Sequence, residues 1–298
     1  MTIAEPADAV EILRLWPDGP PTVIEDVPAE VAYPAPAGLP VGTQFLRNVS
    51  DPTLAVFTPA EGTGNGAGVI VAPGGGWTLL AWEHEGLDVC RWLTDNGFTA
   101  FLLKYRVQAS NPDQAAYDAE MAALDAGIHG QRIPTAHLPG AIADLISTKE
   151  YLQAREVAAE DGRRAIELAR ELGPTYGLRP GALGFIGFSA GAFLAVDVAL
   201  DPRAEPLAFI APIYGGETLG LPVPADAPPL FTAVAHEDIL RRIVEGVYLE
   251  WSAADRPAEL HVFQRGYHGF GMVKQGAPSD RWTDLFLAWL EDSGITTP

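Results

Sequence analysis

The octapeptide Gly184-Phe185-Ile186-Gly187-Phe188-Ser189-Ala190-Gly191 sets a serine between two glycines, G-x-S-x-G, after an apolar run and ahead of a helical pattern. In that setting a sharp strand-to-helix turn exposes the serine oxygen. A serine hydroxyl is a weak nucleophile at its free pKa; it needs a neighbouring base to take its proton and a third group to orient the base. The chemistry of such a set is acyl transfer, with donors waiting for the oxygen that becomes negative. A Gly/Ser-rich turn that only packs carries the same letters, so the partners decide.

Six histidines are candidates for the base: His84, His129, His137, His236, His261 and His268. A triad on an open α/β sheet runs serine, acid, histidine along the chain, which leaves the last three. His261 sits inside the strand pattern Leu260-His261-Val262-Phe263, and His236 occupies the place where the acid belongs. His268 lies in the glycine-flanked loop Gly266-Tyr267-His268-Gly269-Phe270-Gly271 after the last strand pattern, where a base reaches over a sheet, and it is chosen. The acid is sought in Ala233-Val234-Ala235-His236-Glu237-Asp238. Asp238 is preferred, with Glu237 in reserve and Asp255 third; a helix N-cap is the rival role for Asp238. For the oxyanion, Ala190 offers the N–H after the nucleophile at a helix start, and Pro73-Gly74-Gly75-Gly76-Trp77 follows a buried strand, with Gly75 and Gly76 as the expected donors. Trp77, next to that loop, is a candidate pocket wall.

The elements needed to position these residues alternate in type. Residues 1–40 carry Pro17, Pro20, Pro21, Pro34, Pro36 and Pro40 and read as an extended arm over a body. Thr43–Val49 and Thr53–Phe57 read as an edge hairpin, and Gly68–Ala72 and Phe98–Tyr105 as buried strands around a helix over Glu85–Asn96 closed by Gly97. Residues 108–159 interrupt the rhythm, with helices near Pro112–Ala126 and Ala141–Ala158 and a loop over Gly127–Gly140; this excursion reads as a cap over the site, with a structural insertion as the alternative. A helix over Asp161–Leu172, a strand over Ala182–Phe188 and a helix over Ala190–Leu200 follow. Strands at Leu207–Ile213, Leu230–Ala235 and Glu259–Phe263 then alternate with helices at Ile239–Ala254 and Asp280–Glu291. The expectation is one α/β domain over 1–298, a mostly parallel sheet with helices on both faces.

Composition narrows the function. A formal charge of −20 over 298 residues argues against nucleic acid and anionic membranes as partners. One cysteine, Cys90, excludes an intrachain disulfide and a cysteine zinc site, and its surroundings read as helix core. His84-Glu85 lacks the second histidine of H-E-x-x-H, and Gly62–Gly68 lacks the ending of a phosphate loop, so neither metal nor cofactor is expected. Met1–Val10 has no leader pattern and no run is long enough to span a bilayer, which points to a cytoplasmic protein; a mature secreted form reads the same. Small-molecule esters are the expected partners, and a homo-oligomer is left open.

With these residues assembled, the chain resembles the α/β-hydrolase esterases grouped with bacterial acetylxylan and feruloyl esterases, from about Leu15 to Leu290. The resemblance is carried by Leu15-Trp16-Pro17-Asp18-Gly19, Pro73–Trp77 with Glu85-Gly86 after it, Lys104-Tyr105-Arg106, Asp161 with Arg163-Arg164-Ala165, and Ala258–Phe263 leading to His268–Gly271. It implies the α/β-hydrolase fold, Ser189, Asp238 and His268 as triad, Gly75, Gly76 and Ala190 as oxyanion hole, and short acyl esters, such as acetyl groups on carbohydrates, as substrates. The elbow departs from that group in continuing with Ala192-Phe193, which predicts a less polar pocket near the serine with Phe193 in its wall. Two other functions are weighed. Gly74-Gly75-Gly76-Trp77 also resembles the His-Gly-Gly-x-Trp of kynurenine formamidases, except that Pro73 replaces the histidine, and a non-catalytic binding protein on the same fold is the reading from outside enzymology.

Overall fold

The computed structural model describes residues 6–34, 43–129 and 148–296. Eight strands make one sheet: β1 (Glu11–Arg14), β4 (Thr53–Phe57), β7 (Thr99–Lys104), β5 (Gly68–Ala72), β8 (Leu183–Phe188), β9 (Ile210–Ile213), β10 (Leu230–Ala235) and β11 (Ala258–Phe263), in that spatial order. The pairs β1/β4 and β4/β7 are antiparallel and all the others parallel. Every residue of β5, β8 and β10 is buried, which is why these strands read in the sequence as continuous apolar runs rather than alternating ones.

Among the described residues the α-helices are α1 (Asp88–Asp95), α2 (Gln114–His129), α3 (Lys149–Leu172), α4 (Ala190–Leu200), α5 (Arg241–Ala253) and α6 (Trp282–Asp292). α3 packs on α4, α4 on β5, β8 and β9, α5 on β10 and β11, and α6 on β10. The chain passes from β5 to β7 on one side and then to β8 on the other. The switch in direction therefore falls between β5 and β8, and at such a point the loops after the two strands part and leave a crevice at their carboxyl ends. Both the glycine-rich loop and the serine turn emerge there. Among the described residues no helix is long and apolar enough to cross a membrane.

Four expectations are corrected. The hairpin does not form: β3 (Gln44–Arg47) pairs with β2 (Val31–Pro34) and β6 (Leu79–Leu80) in a separate antiparallel sheet, while β4 pairs with β1 and β7. Local alternation reveals a strand but not its partner, and the Asn48 backbone in the left-handed region (φ 57°) turns the chain between β3 and β4. The proline-rich arm is not wholly irregular, since β1 lies between Pro6 and Pro17 and seals the sheet edge, and β2 forms near residue 31. The helix expected from Glu85 begins instead as a π-turn over Glu83–Leu87 that runs into α1. Finally, the break expected near residue 160 is absent. α3 runs unbroken through Gly162, where a Cβ would come within 2.9 Å of Leu194 and Val198 on α4, so this glycine serves close helix packing rather than a helix end. Part of the proposed cap, residues 130–147, lies outside the described residues; the stretch from Lys149 belongs to the core-packed crossover helix, with Tyr151, Ala154, Val157 and Ala158 buried.

Candidate active site

Ser189 sits between β8 and α4 with φ 48° and ψ −113°, a backbone conformation that a residue with a Cβ rarely adopts. Both flanking glycines of the motif are required by contact. A Cβ on Gly187 would lie 1.9 Å from the Gly191 carbonyl, and one on Gly191 would lie 2.1 Å from the Ala72 carbonyl. The turn is held by the Ser189 N–H donating to Ile213 O (3.0 Å) and by Ala192 and Phe193 N–H donating to Ser189 O (2.9 and 3.2 Å). Strain of this kind persists only where surroundings over-determine it, and it is common at functional sites.

The downstream loops bring the remaining candidates to the serine. His268 Nε2 is 2.8 Å from Ser189 Oγ, and His268 Nδ1 is 2.9 Å from Asp238 Oδ2. The Asp238 side chain is fully buried and its other oxygen, Oδ1, accepts the Leu240 N–H at 2.7 Å. Its rival role disappears, because Leu240 stands at the N-cap of α5 and Asp238 lies two residues before it. The His268 side chain is 31% exposed, so the line of hydrogen bonds opens to solvent at the serine end. Burial works against a charged imidazole at His268, but the charge and hydrogen bond of Asp238, together with the Glu85 carboxylate, outweigh it and hold the pKa above the ordinary 6.5.

The loop after β5 closes the third side. Gly75, Gly76 and Trp77 all have positive φ (137°, 59° and 66°), so the chain coils left-handed and their N–H groups do not enter a ladder. The Gly75 carbonyl is turned away to accept from Thr78 and Leu79, and Gly74 O accepts from Ala81. Among the described residues no acceptor meets the N–H of Gly75 or Gly76, and Ala190, at the first turn of α4, is one of the positions whose N–H has no partner within the helix. Gly74 is pressed against the elbow: a Cβ there would come within 2.9 Å of Ser189 Cβ, whereas Gly76 faces open space.

The other sequence candidates lie elsewhere. Glu237 Oε1 accepts the Gly266 N–H (3.1 Å) and so braces the histidine loop, while Asp255 follows α5 in the left-handed region. His236 pairs with Arg241 and His261 with Glu259. His84 is buried beside Phe45, His129 is the last residue of α2, and His137 lies outside the described residues. The expected pocket walls need correction. Trp77 is fully buried, edge-on to Tyr105 and Tyr151 at ring-centroid distances of 5.8 and 6.1 Å, and Phe193 is buried beneath the Arg155 guanidinium at 5.1 Å. Both are packing residues of the core, because the turn at Ser189 directs α4 into the body of the protein. Burial pushes the Cys90 thiol well above its usual range, as the expectation of an inert thiol requires. Among the described residues no cluster of His, Cys, Asp and Glu has the makings of a metal site.

Two residues at the site escaped sequence reasoning. Tyr214, just after β9, is fully buried, packs edge-on to His268 at 5.2 Å, and has an unusual backbone φ of 41°. Glu85, to which the sequence assigned no part in the site, is buried beneath the glycine-rich loop and accepts the Gly74 N–H at 2.8 Å.

No protein-family model matches the chain. Over 155 residues, 51% of the chain, it is 22% identical to an acetylxylan esterase of Xylanibacter ruminicola, and the match spans 23% of that protein's length. Among solved structures it is similar to the acetyl ester-xyloside bifunctional hydrolase of Caldicellulosiruptor lactoaceticus, with a TM-score of 0.57, 23% identity and coverage of 82% of this chain and 89% of that one. It is also similar to MGS-M1, an α/β-hydrolase enzyme from a Medee basin deep-sea metagenome library (TM-score 0.57, 18% identity, 89% and 98% covered). Thermogutta terrifontis esterase 2 phosphoramylated by tabun is a third (TM-score 0.59, 14% identity, 99% and 98% covered). Sheet order, the crossing at β5/β8 and these likenesses together establish that the chain has the α/β-hydrolase fold.

Proposed function

We propose that the protein is a serine carboxylic-ester hydrolase that works through an acyl-enzyme at Ser189. The observation that carries this reading is the unbroken hydrogen-bonded line from buried Asp238 through His268 to a strained, solvent-facing Ser189. Ser189 Oγ attacks the acyl carbonyl carbon as its proton passes to His268 Nε2, and the carbonyl π pair moves onto oxygen. The N–H groups of Ala190, Gly75 and Gly76 hold that oxyanion. Collapse breaks the bond to the leaving alcohol, which takes the proton from His268 and departs. A water then gives its proton to the same nitrogen, attacks the acyl-enzyme, and releases the carboxylic acid as Ser189 recovers its hydrogen. Asp238 keeps Nδ1 protonated and aims the ring throughout.

Short acyl esters, acetyl groups on carbohydrates foremost, are the proposed substrates; the similarity to the Xylanibacter ruminicola acetylxylan esterase supports that choice. The test is turnover of p-nitrophenyl acetate and acetylated xylo-oligosaccharides by the wild type and by Ser189→Ala. The variant is expected to keep its far-UV spectrum and Tm while kcat/KM falls about ten-thousand-fold or more. Retained hydrolysis would remove Ser189 as the nucleophile. Within the same assay, p-nitrophenyl octanoate outrunning the acetate would overturn the short-acyl assignment.

A further inference from the structure

Beneath the candidate site lies a second buried carboxylate that the ester-hydrolysis steps do not use. Glu85 is 3% exposed and belongs to the π-turn Glu83–Leu87, an irregular turn of a kind often found at functional sites. Its Oε2 accepts the Gly74 N–H at 2.8 Å, at the root of the glycine-rich loop. Its Oε1 accepts the Tyr214 O–H at 2.7 Å, and Tyr214 Oη in turn accepts the Gly271 N–H at 3.1 Å, in the loop that carries His268. Both carboxylate oxygens thus act as acceptors, as an ionised side chain does. The contact is steric as well as polar: a Cβ on Gly271 would come within 2.8 Å of the His84 carbonyl and 3.1 Å of Glu85 Cγ, and Met272 N–H donates to His84 O at 3.0 Å. The loop root is gripped from the other side by Tyr105, whose hydroxyl donates to Pro73 O at 2.6 Å.

Resting on the hydrolase reading above, the geometry points to Glu85 as a positioning residue, with Tyr214 as its relay, that sets the oxyanion loop and the His268 loop at one fixed separation around Ser189. The two loops come from opposite ends of the catalytic set, and among the described residues no hydrogen bond joins them directly, so one buried acceptor between them ties two separate segments into a single cradle. A methylene's slack in such a cradle is enough to misplace donors whose value depends on sub-ångström aim. Among the described residues the hydrogen bonds of Glu85 go to Gly74 and Tyr214 and not to Ser189, so it acts through the loops rather than on the reacting atoms. The ionisable groups that face it are His84, whose Nε2 lies 3.8 Å from Oε1, Tyr105, Tyr214 and, across Tyr214, His268 with Asp238. The Glu85 charge adds to the basicity of His268, alongside the larger influence of Asp238, and it also raises the Tyr105 and Tyr214 hydroxyls, which burial pushes up most.

Glu85→Gln retains the shape but replaces one acceptor with a donor, so it cannot satisfy both Gly74 N–H and Tyr214 O–H. Tyr214→Phe keeps the carboxylate and cuts the link to Gly271. Turnover of p-nitrophenyl acetate is measured per active site, with sites counted by fluorophosphonate labelling, and the His268 titration is followed by NMR. For Glu85→Gln kcat is expected to fall about 100-fold with KM within about threefold, and for Tyr214→Phe about tenfold. The His268 midpoint is expected to move down in Glu85→Gln and to stay in Tyr214→Phe. A lowered Tm with undiminished kcat per labelled site in both variants would show a structural role only and overturn the proposal. Should Glu85→Gln fail to fold, Tyr214→Phe alone decides, and wild-type kcat in it refutes the relay. Ser189→Ala run alongside separates the two readings: an active Ser189→Ala sinks the hydrolase assignment, whereas an inactive one beside fully active Glu85→Gln and Tyr214→Phe sinks only the role of Glu85.

Discussion

His268 must be neutral to take the proton of Ser189, and three influences set where it becomes so. Partial burial disfavours the imidazolium, yet Asp238 at 2.9 Å and the Glu85 carboxylate favour it more strongly, leaving the pKa above 6.5. The sign follows from the direction of the shift. Below the raised pKa the ring is protonated and cannot act as base, so kcat/KM is expected to climb with pH along a limb whose midpoint lies above 6.5 and then to level off. A pH profile of p-nitrophenyl acetate hydrolysis checks it, and a midpoint below 6.5 would contradict the electrostatics of the pair. At this scale the sequence went far, because residue type and chain order single out Ser189 and His268. It left Glu237 and Asp238 open, with Asp255 behind them, since two adjacent acidic residues in one turn differ only in where the backbone aims them. The turn closed by Asp238 N–H on Ala235 O directs Asp238 to His268 and Glu237 to Gly266.

Among the elements, the N-terminal arm, β7 and α3 meet in a cluster that explains why motif residues so far apart in the chain read together. Arg106, 1% exposed, donates Nε and Nη2 to fully buried Asp161 at 2.7–3.1 Å, Trp16 Nε1 donates to Asp161 Oδ1 at 2.7 Å, and Arg106 Nη1 reaches the Thr22 carbonyl. Burial pushes the Asp161 carboxyl up, and the hydrogen bonds and charge of Arg106 pull against it. Asp161→Ala strands a guanidinium in the interior and is expected to cost about 3–5 kcal/mol of stability. Urea unfolding measures this, and a loss below about 1 kcal/mol would mean that the cluster is solvated. The elements the sequence misplaced were those decided by partners. The helix patterns ending at Ala158 and starting at Asp161 read as separate although one helix runs through both, with Gly162 letting α3 and α4 approach, and the strand patterns near Phe45 and Val56 looked like a hairpin although they belong to different sheets.

For the whole molecule, a net charge of −20 sets a field that a neutral ester ignores and an anionic one feels. Added salt shortens the reach of that field. The ratio of kcat/KM for a negatively charged acetyl ester to that for a neutral one is therefore expected to rise severalfold between 10 and 500 mM salt. Measuring that ratio at both ionic strengths is the check; one that falls would indicate a local cationic pocket overriding the global charge. By itself the sequence determined the class of fold, through buried strand runs alternating with helices, and the chemical cast, through the serine elbow, the glycine-rich loop and the late histidine. These are local properties: periodicity, turn-forming glycines and the donor or acceptor types of side chains are written residue by residue. Only the tertiary structure decided which acid faces His268, that Trp77 and Phe193 pack inward rather than line a pocket, and that Glu85 and Tyr214 stand under the site. Those outcomes depend on the crossing between β5 and β8, which brings together loops from four separate strands. No local pattern in the chain encodes the distance between two segments whose contact is made by the sheet between them.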